Sequence, residues 1–170
     1  MQTGVVWYLS ILKQESYFMD TIINEQFIAL AIEEAKAAKA NGDWPFGAVV
    51  VKDGKVVGKG HVTDKSGGDV TDHAELRALR DACRNLSTNN LEGCSIYCSN
   101  EPCLMCAAGI FQSGIRNVYI GASRDDLPLL LRPRKLRIED AALDSGHEIK
   151  IQRDLLKDQI LALFQDIHKK

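Results

Sequence analysis

A chain of 170 residues, 45% apolar and 26% charged, has the make-up of one globular domain with a continuous core, which excludes a fibrous or wholly disordered protein. Its net charge of −2 supplies no general basic excess, so a nucleic-acid partner would need a local patch. Five cysteines, an odd number without a convincing export signal, exclude a disulfide framework and indicate a reducing, cytoplasmic setting.

Residues 1–18 fit the remainder poorly. Residues 4–12 are partly apolar, yet they lack a basic start and a clean cleavage site and are too short to cross a bilayer. Met19 would make a natural start, so 1–18 are read as a leader, disordered or artefactual, ahead of a single domain over 19–170. No repeat, low-complexity tract or linker divides that domain. From Asn24 to Ala40, Phe27, Leu30, Ala31, Ala35 and Ala38 recur at helical spacing, with Asn24 as expected N-cap and Asn41-Gly42 as the stop. Two Val-rich runs, Gly47–Lys52 and Lys55–Lys59, flank Asp53-Gly54, a strong hairpin signal.

A polar loop from His61 to Thr71 leads to a second predicted helix, His73 to Arg84. Thr71 or Asp72 is its expected cap and Leu76, Leu79 and Cys83 its expected buried stripe. Cys94–Cys98 reads as a strand. Pro102 is placed at the first position of a third helix that Gly114 closes. Arg116–Ile120 and His147–Gln152 read as further strands, and a last helix from about Arg153 aligns Leu156, Ile160, Leu163 and Ile167. Alternating helices and strands of this kind build a mixed α/β sheet with helices on both faces.

Chemistry concentrates at two of the helix starts, His73-Ala74-Glu75 and Pro102-Cys103-Leu104-Met105-Cys106. Cysteines three apart share one face of a helical turn, and a helix N-terminus favours the thiolate that binds metal. His73, Cys103 and Cys106 make a set suited to Zn²⁺, and three ligands leave one position open, the mark of a catalytic rather than a structural zinc. Glu75, two residues past the histidine, is placed to take a proton from an activated water and return it to a leaving amine. Taken alone, the C-x-x-C would equally suit a redox pair or half of a structural zinc site.

The H-x-E…P-C-x-x-C spacing matches the known signature of zinc deaminases. With Pro45-Phe46-Gly47-Ala48-Val49, Thr71-Asp72-His73-Ala74-Glu75 and Glu101-Pro102-Cys103-Leu104-Met105-Cys106, the chain from about Asn24 onward resembles the cytidine deaminase-like superfamily, in its guanine deaminase and tRNA adenosine deaminase branch. The resemblance implies a three-layer α/β/α sandwich around a five-stranded mixed sheet, one Zn²⁺ per subunit and a homodimer. It implies a pocket bordered by Phe46, Gly47, Ala48, Val62, Glu101 and Pro102, and an acid after the fourth strand, Asp126 or Asp125, as a second proton relay.

Pro45-Phe46-Gly47 resembles the free-base enzymes, and so does the stretch from Leu79 to Tyr97; the ending from His147 to His168 resembles the tRNA type. Both groups usually carry a purine-binding asparagine where Val62 stands, with Thr63, Asp64 or His61 as nearby substitutes. Guanine is therefore the first expected substrate, wobble adenosine of tRNA the alternative, and a non-catalytic zinc-binding domain the reading from another class. The run Arg132-Pro133-Arg134-Lys135-Leu136-Arg137 reads as a solvated loop or as a grip on tRNA phosphates. Trp44 and Phe46 flank the expected pocket mouth as stacking partners or core, Cys83, Cys94 and Cys98 read as core, and His147 and His168 as surface. No membrane partner is expected.

Overall fold

The computed structural model describes residues 3–146 and 148–167, with side chains described from Met19 onward. The first helix, α1, runs Thr3–Ala40, about 57 Å at 1.5 Å per residue. After it come β1 (Gly47–Lys52), β2 (Lys55–His61), a one-turn α2 (Asp64–Gly67) and α3 (Ala74–Leu86). Then follow β3 (Ser95–Asn100), α4 (Leu104–Gln112), β4 (Asn117–Ala122), a 3₁₀ turn at Arg124–Asp126, α5 (Ile138–Asp144), β5 (Lys150–Gln152) and α6 (Lys157–Ala162).

The five strands lie in the order β2-β1-β3-β4-β5. β1 is antiparallel to both β2 and β3, whereas β3–β4 and β4–β5 are parallel. Strand side chains alternate between the two faces. Ala48, Val50, Ile96, Cys98, Val118 and Ile120 pack under α3, α4 and α5. Val49, Val51, Tyr97 and Tyr119 pack against Ile28 and Ile32 of α1 and Ile160 of α6. The result is the expected α/β architecture, a mixed five-stranded sheet between two helical layers.

The β1–β2 turn forms at Asp53-Gly54, where both residues take positive φ, 50° and 72°. Helix α3 lies against β2 at glycine distance: a Cβ on Gly58 would stand 2.4 Å from the Ala78 carbonyl, and one on Gly60 2.7 Å from that of Ala74. So close a seat selects small residues, and the buried stripe of α3 is Ala74, Glu75, Ala78, Leu79 and Ala82 rather than Leu76, Leu79 and Cys83. Leu76 and Cys83 pack at its margin.

Several boundaries depart from the sequence pattern. Asn24 caps nothing; it lies inside α1, donating to Gln152 Oε1 (3.1 Å) and accepting from the Tyr97 hydroxyl (3.0 Å). No proline or glycine interrupts residues 5–23, so the helix continues upstream of it. Thr71 and Asp72 do not cap α3, because His73 occupies that position and the Asp72 carboxylate is held by Thr63, Arg77 and Arg80. Cys103 caps α4, which moves Pro102 outside the helix. The last helix shortens because Asp154 and Leu156 take positive φ (65° and 52°) while the Leu155 N–H continues the sheet to Ile120. β5 begins at Lys150, and His147 and His168 lie outside the described residues.

Candidate active site

Two helix starts meet at the end of the sheet where the parallel strands β3 and β4 finish. His73 and Cys103 both take extended backbone angles as N-caps of α3 and α4, and Cys106 follows in the first turn of α4. His73 Nδ1 stands 3.6 Å from Cys103 Sγ and 3.5 Å from Cys106 Sγ, and the two sulfurs are 3.6 Å apart. Tetrahedral zinc, with bonds of about 2.3 Å to sulfur and 2.0 Å to nitrogen, spaces its donors roughly 3.5–3.8 Å apart, so this set fits the ion. Among the described residues these three form the group able to hold a metal; Cys98 is not part of it.

Left to themselves, the two thiols divide their protons unequally. Cys106 donates to Cys103, and with His73 this holds Cys103 at about 3 against the opposing effect of burial. The same hydrogen bond, burial and the Glu75 charge push Cys106 far up. A dication between the sulfurs deprotonates both. Glu75 is 8% exposed, and burial raises its carboxyl above the ordinary value.

Glu75, His73 and Cys103 line a cavity of about 200 Å³. Trp44 and Phe46, stacked at 6.2 Å, form one wall, with Gly47, Val62 and Asp64 beside them. Ala74, Ser99, Asn100, Glu101, Arg124 and Leu131 complete it. Phe46 also touches Phe164, so it serves wall and core together.

Of the residues expected at the pocket, Phe46, Gly47, Val62 and Glu101 line it. Ala48 and Pro102 do not; Ala48 is fully buried under α3 and Pro102 is buried as well. Asp126 also lies away from the lining, accepting from the Ser123 N–H at 2.7 Å and pairing with Lys157 at 3.1 Å, and Asp125 pairs with Arg137. Glu101 is less a free group than an anchor: Arg137 and Arg153 pair with it, and the Arg124 N–H donates to it. Cys94 and Cys98 are buried as expected, and Cys83 is partly so.

Ser99, Asn100, Arg124 and Leu131 were not singled out by the sequence reading. Ser99 and Asn100 are the last two residues of β3 and Arg124 comes just after β4, at the carboxyl ends of the parallel strands where α/β sheets gather their ligand-binding residues. Leu131 carries no such signal. The basic run divides: Arg137 turns inward to Glu101, whereas Arg132, Arg134 and Lys135 are exposed.

Residues 21–122 match the family model described as "Cytidine and deoxycytidylate deaminase zinc-binding region". The tRNA-specific adenosine deaminase of Aquifex aeolicus (strain VF5) is 42% identical over 98 residues, covering 58% of this chain and 65% of that protein, just under two thirds of its length. Guanine deaminase of Bacillus subtilis (strain 168) is 36% identical over 104 residues, 61% of this chain and 67% of that one. A solved structure of guanine deaminase from Nitrosomonas europaea superposes with a TM-score of 0.75 at 27% identity, covering 84% of this chain and 82% of that one. Fold, donor set and family match agree: the chain belongs to the cytidine and deoxycytidylate deaminase zinc-binding family.

Proposed function

We propose that the protein is a zinc-dependent hydrolytic deaminase of an aminated nucleobase, with guanine, converted to xanthine and ammonia, as its substrate. One observation carries this: a buried carboxylate, Glu75, sits beside three metal donors without being one of them, at a cavity walled by aromatic rings. Zn²⁺ bound there would supply the Lewis acidity that makes water a nucleophile near neutral pH. Glu75 removes a proton from the attacking water as its oxygen bonds to the ring carbon bearing the amine. The same carboxyl then protonates the amine as the C–N bond breaks and ammonia leaves, and the remaining proton of the added hydroxyl passes to the adjacent ring nitrogen, which leaves a carbonyl on the ring. Trp44 and Phe46 hold the ring by its face. A cavity of about 200 Å³ is smaller than the roughly 300–1,000 Å³ of drug-sized sites and suits a bare ring system. The likeness to guanine deaminases supports the same substrate.

Adenosine in a tRNA loop is the second reading. Likeness to tRNA-specific adenosine deaminases favours it, as does Arg124 in the cavity lining with exposed Arg132, Arg134 and Lys135 on the following loop. A homodimer in a reducing compartment accompanies either substrate. Among the described residues no helix is long and apolar enough to cross a membrane.

Ammonia release by zinc-loaded protein from free guanine, with Glu75→Ala as the blank, tests the first reading. Release from tRNA but not from guanine would establish the second, and metal retention without turnover on either would leave a non-catalytic zinc domain.

A further inference from the structure

Val62 and Asp64 belong to the cavity wall, and Thr63 stands between them. Two hydrogen bonds join Thr63 to Asp72: its N–H donates to the Asp72 carbonyl and its hydroxyl to Asp72 Oδ2, both at 3.0 Å. Asp72 directly precedes His73, the one metal donor that does not come from the C-x-x-C turn. Its carboxylate is also tied to α3, the helix that His73 caps. Arg77 Nη1 donates to Oδ2 at 2.8 Å and Arg80 Nη1 to Oδ1 at 2.6 Å. Arg77 Nη1 reaches Thr63 Oγ1 as well, at 2.9 Å. Wall, carboxylate and helix start therefore share one hydrogen-bond network.

Ligating histidines ordinarily have their ring fixed by a hydrogen bond at the other nitrogen. His73 lacks one: among the described residues Nε2 has no hydrogen-bond partner. The imidazole is then placed through its backbone, and the backbone there is placed by Asp72. Exposed ion pairs contribute little, but this carboxylate is only 20% exposed and takes three side-chain donors at once. We propose that Asp72 is a positioning residue that couples the cavity wall to the metal centre. Through it, His73 holding its metal steadies the wall that carries Val62 and Asp64, and the wall steadies His73 in return. Asp43 provides the contrast. It is 6% exposed and grips the same segment at Ser66, whose N–H donates to Oδ1 at 2.9 Å, yet it adjoins no metal donor. This inference rests on the metal site and holds whichever ring is deaminated.

Amide hydrogen exchange on the full chain, zinc-loaded and stripped by a chelator, tests it. In wild type, zinc slows exchange by roughly tenfold at Thr63 and Gly67, whose N–H groups donate to the Asp72 and Thr63 carbonyls. In Asp72→Ala that zinc effect falls below about twofold, while the effect at Ala107, bonded to the Cys103 carbonyl, persists. Asp43→Asn lowers protection of the segment equally with and without zinc. Cobalt in place of zinc gives a second readout, because its d–d absorption follows donor geometry. The band shifts in Asp72→Ala and stays fixed in Asp43→Asn. Thr63→Val removes the hydroxyl at nearly constant shape and weakens the zinc effect; combined with Asp72→Ala it adds nothing further. A zinc effect at Thr63 that survives Asp72→Ala, an unshifted cobalt band, or a wild-type wall indifferent to zinc overturns the inference. Should Asp72→Ala not fold, Thr63→Val decides alone, and an undiminished zinc effect in it overturns the inference. None of these readouts needs turnover, so failure of the proposed deamination is seen separately, in the ammonia assay.

Discussion

Glu75 and Glu101 are buried carboxylates at one cavity, and their surroundings push them in opposite directions. Burial raises Glu75, whereas for Glu101 the raising effect of burial is outweighed by Arg137, the Arg124 N–H and Arg153, which hold it below the ordinary value of 4.5. Glu75→Ala is expected to keep zinc by metal analysis while turnover falls by about 10²–10⁴-fold. Glu101→Gln strips two guanidinium groups of their shared anion and should cost about 2–3 kcal/mol at pH 7, read by denaturant melts. A carboxyl lowered in the folded state stabilises above its unfolded value and loses that contribution as pH falls through its folded value. The gap between wild type and Glu101→Gln should therefore narrow progressively as pH falls below about 4.5, and a gap that stays constant from neutral pH down through the acid range would remove this ion pair from the account. His73, Glu75, Cys103 and Cys106 were legible in the sequence because their short spacings already express the chemistry. The role of Glu101 was not, since Arg137 and Arg153 reach it from 36 and 52 residues away.

Between the elements, the seat of α3 on β2 carries the greatest consequence for the site, because His73 caps α3 and Glu75 sits in its first turn. Gly58→Ala would drive a methyl against the Ala78 carbonyl and the Ala82 amide, both backbone atoms that yield only if the helix lifts. A loss of about 1–3 kcal/mol is expected, with faster zinc release to a chelator than in an equally destabilised variant far from α3. Equal release rates would show that the helix seat does not position His73. The hairpin at Asp53-Gly54, β3, α4 and β4 were readable from turn chemistry and apolar runs. The continuation of α1 through Asn24 and the shortness of α6 were not. Asn24 resembles a cap in sequence, but its amide is claimed by Tyr97 and Gln152 on strands far along the chain. Leu156 fits a helical stripe, yet its positive φ starts α6 one residue later, after the sheet has taken Leu155.

Across the whole molecule, the family match begins at residue 21, and contacts of α1 with the sheet include Asn24, Ile28 and Ile32. A chain begun at Met19 is therefore expected to bind zinc and to melt within a few degrees of the full chain; loss of folding would make residues 1–18 part of the domain rather than a leader. Cys103→Ala should abolish zinc retention and lower the melting temperature, measured by metal analysis alongside thermal melts. The donors are unevenly distributed along the chain: Cys103 and Cys106 are three residues apart, whereas His73 lies 30 residues before Cys103. Unfolding scatters the histidine but leaves the two thiols as neighbours, a chelating pair that survives in the denatured ensemble. Zinc thus has some affinity for both sides of the folding equilibrium. Added metal should raise the melting temperature by less than its grip on the native site alone implies, and refolding should proceed from chains that already carry the ion.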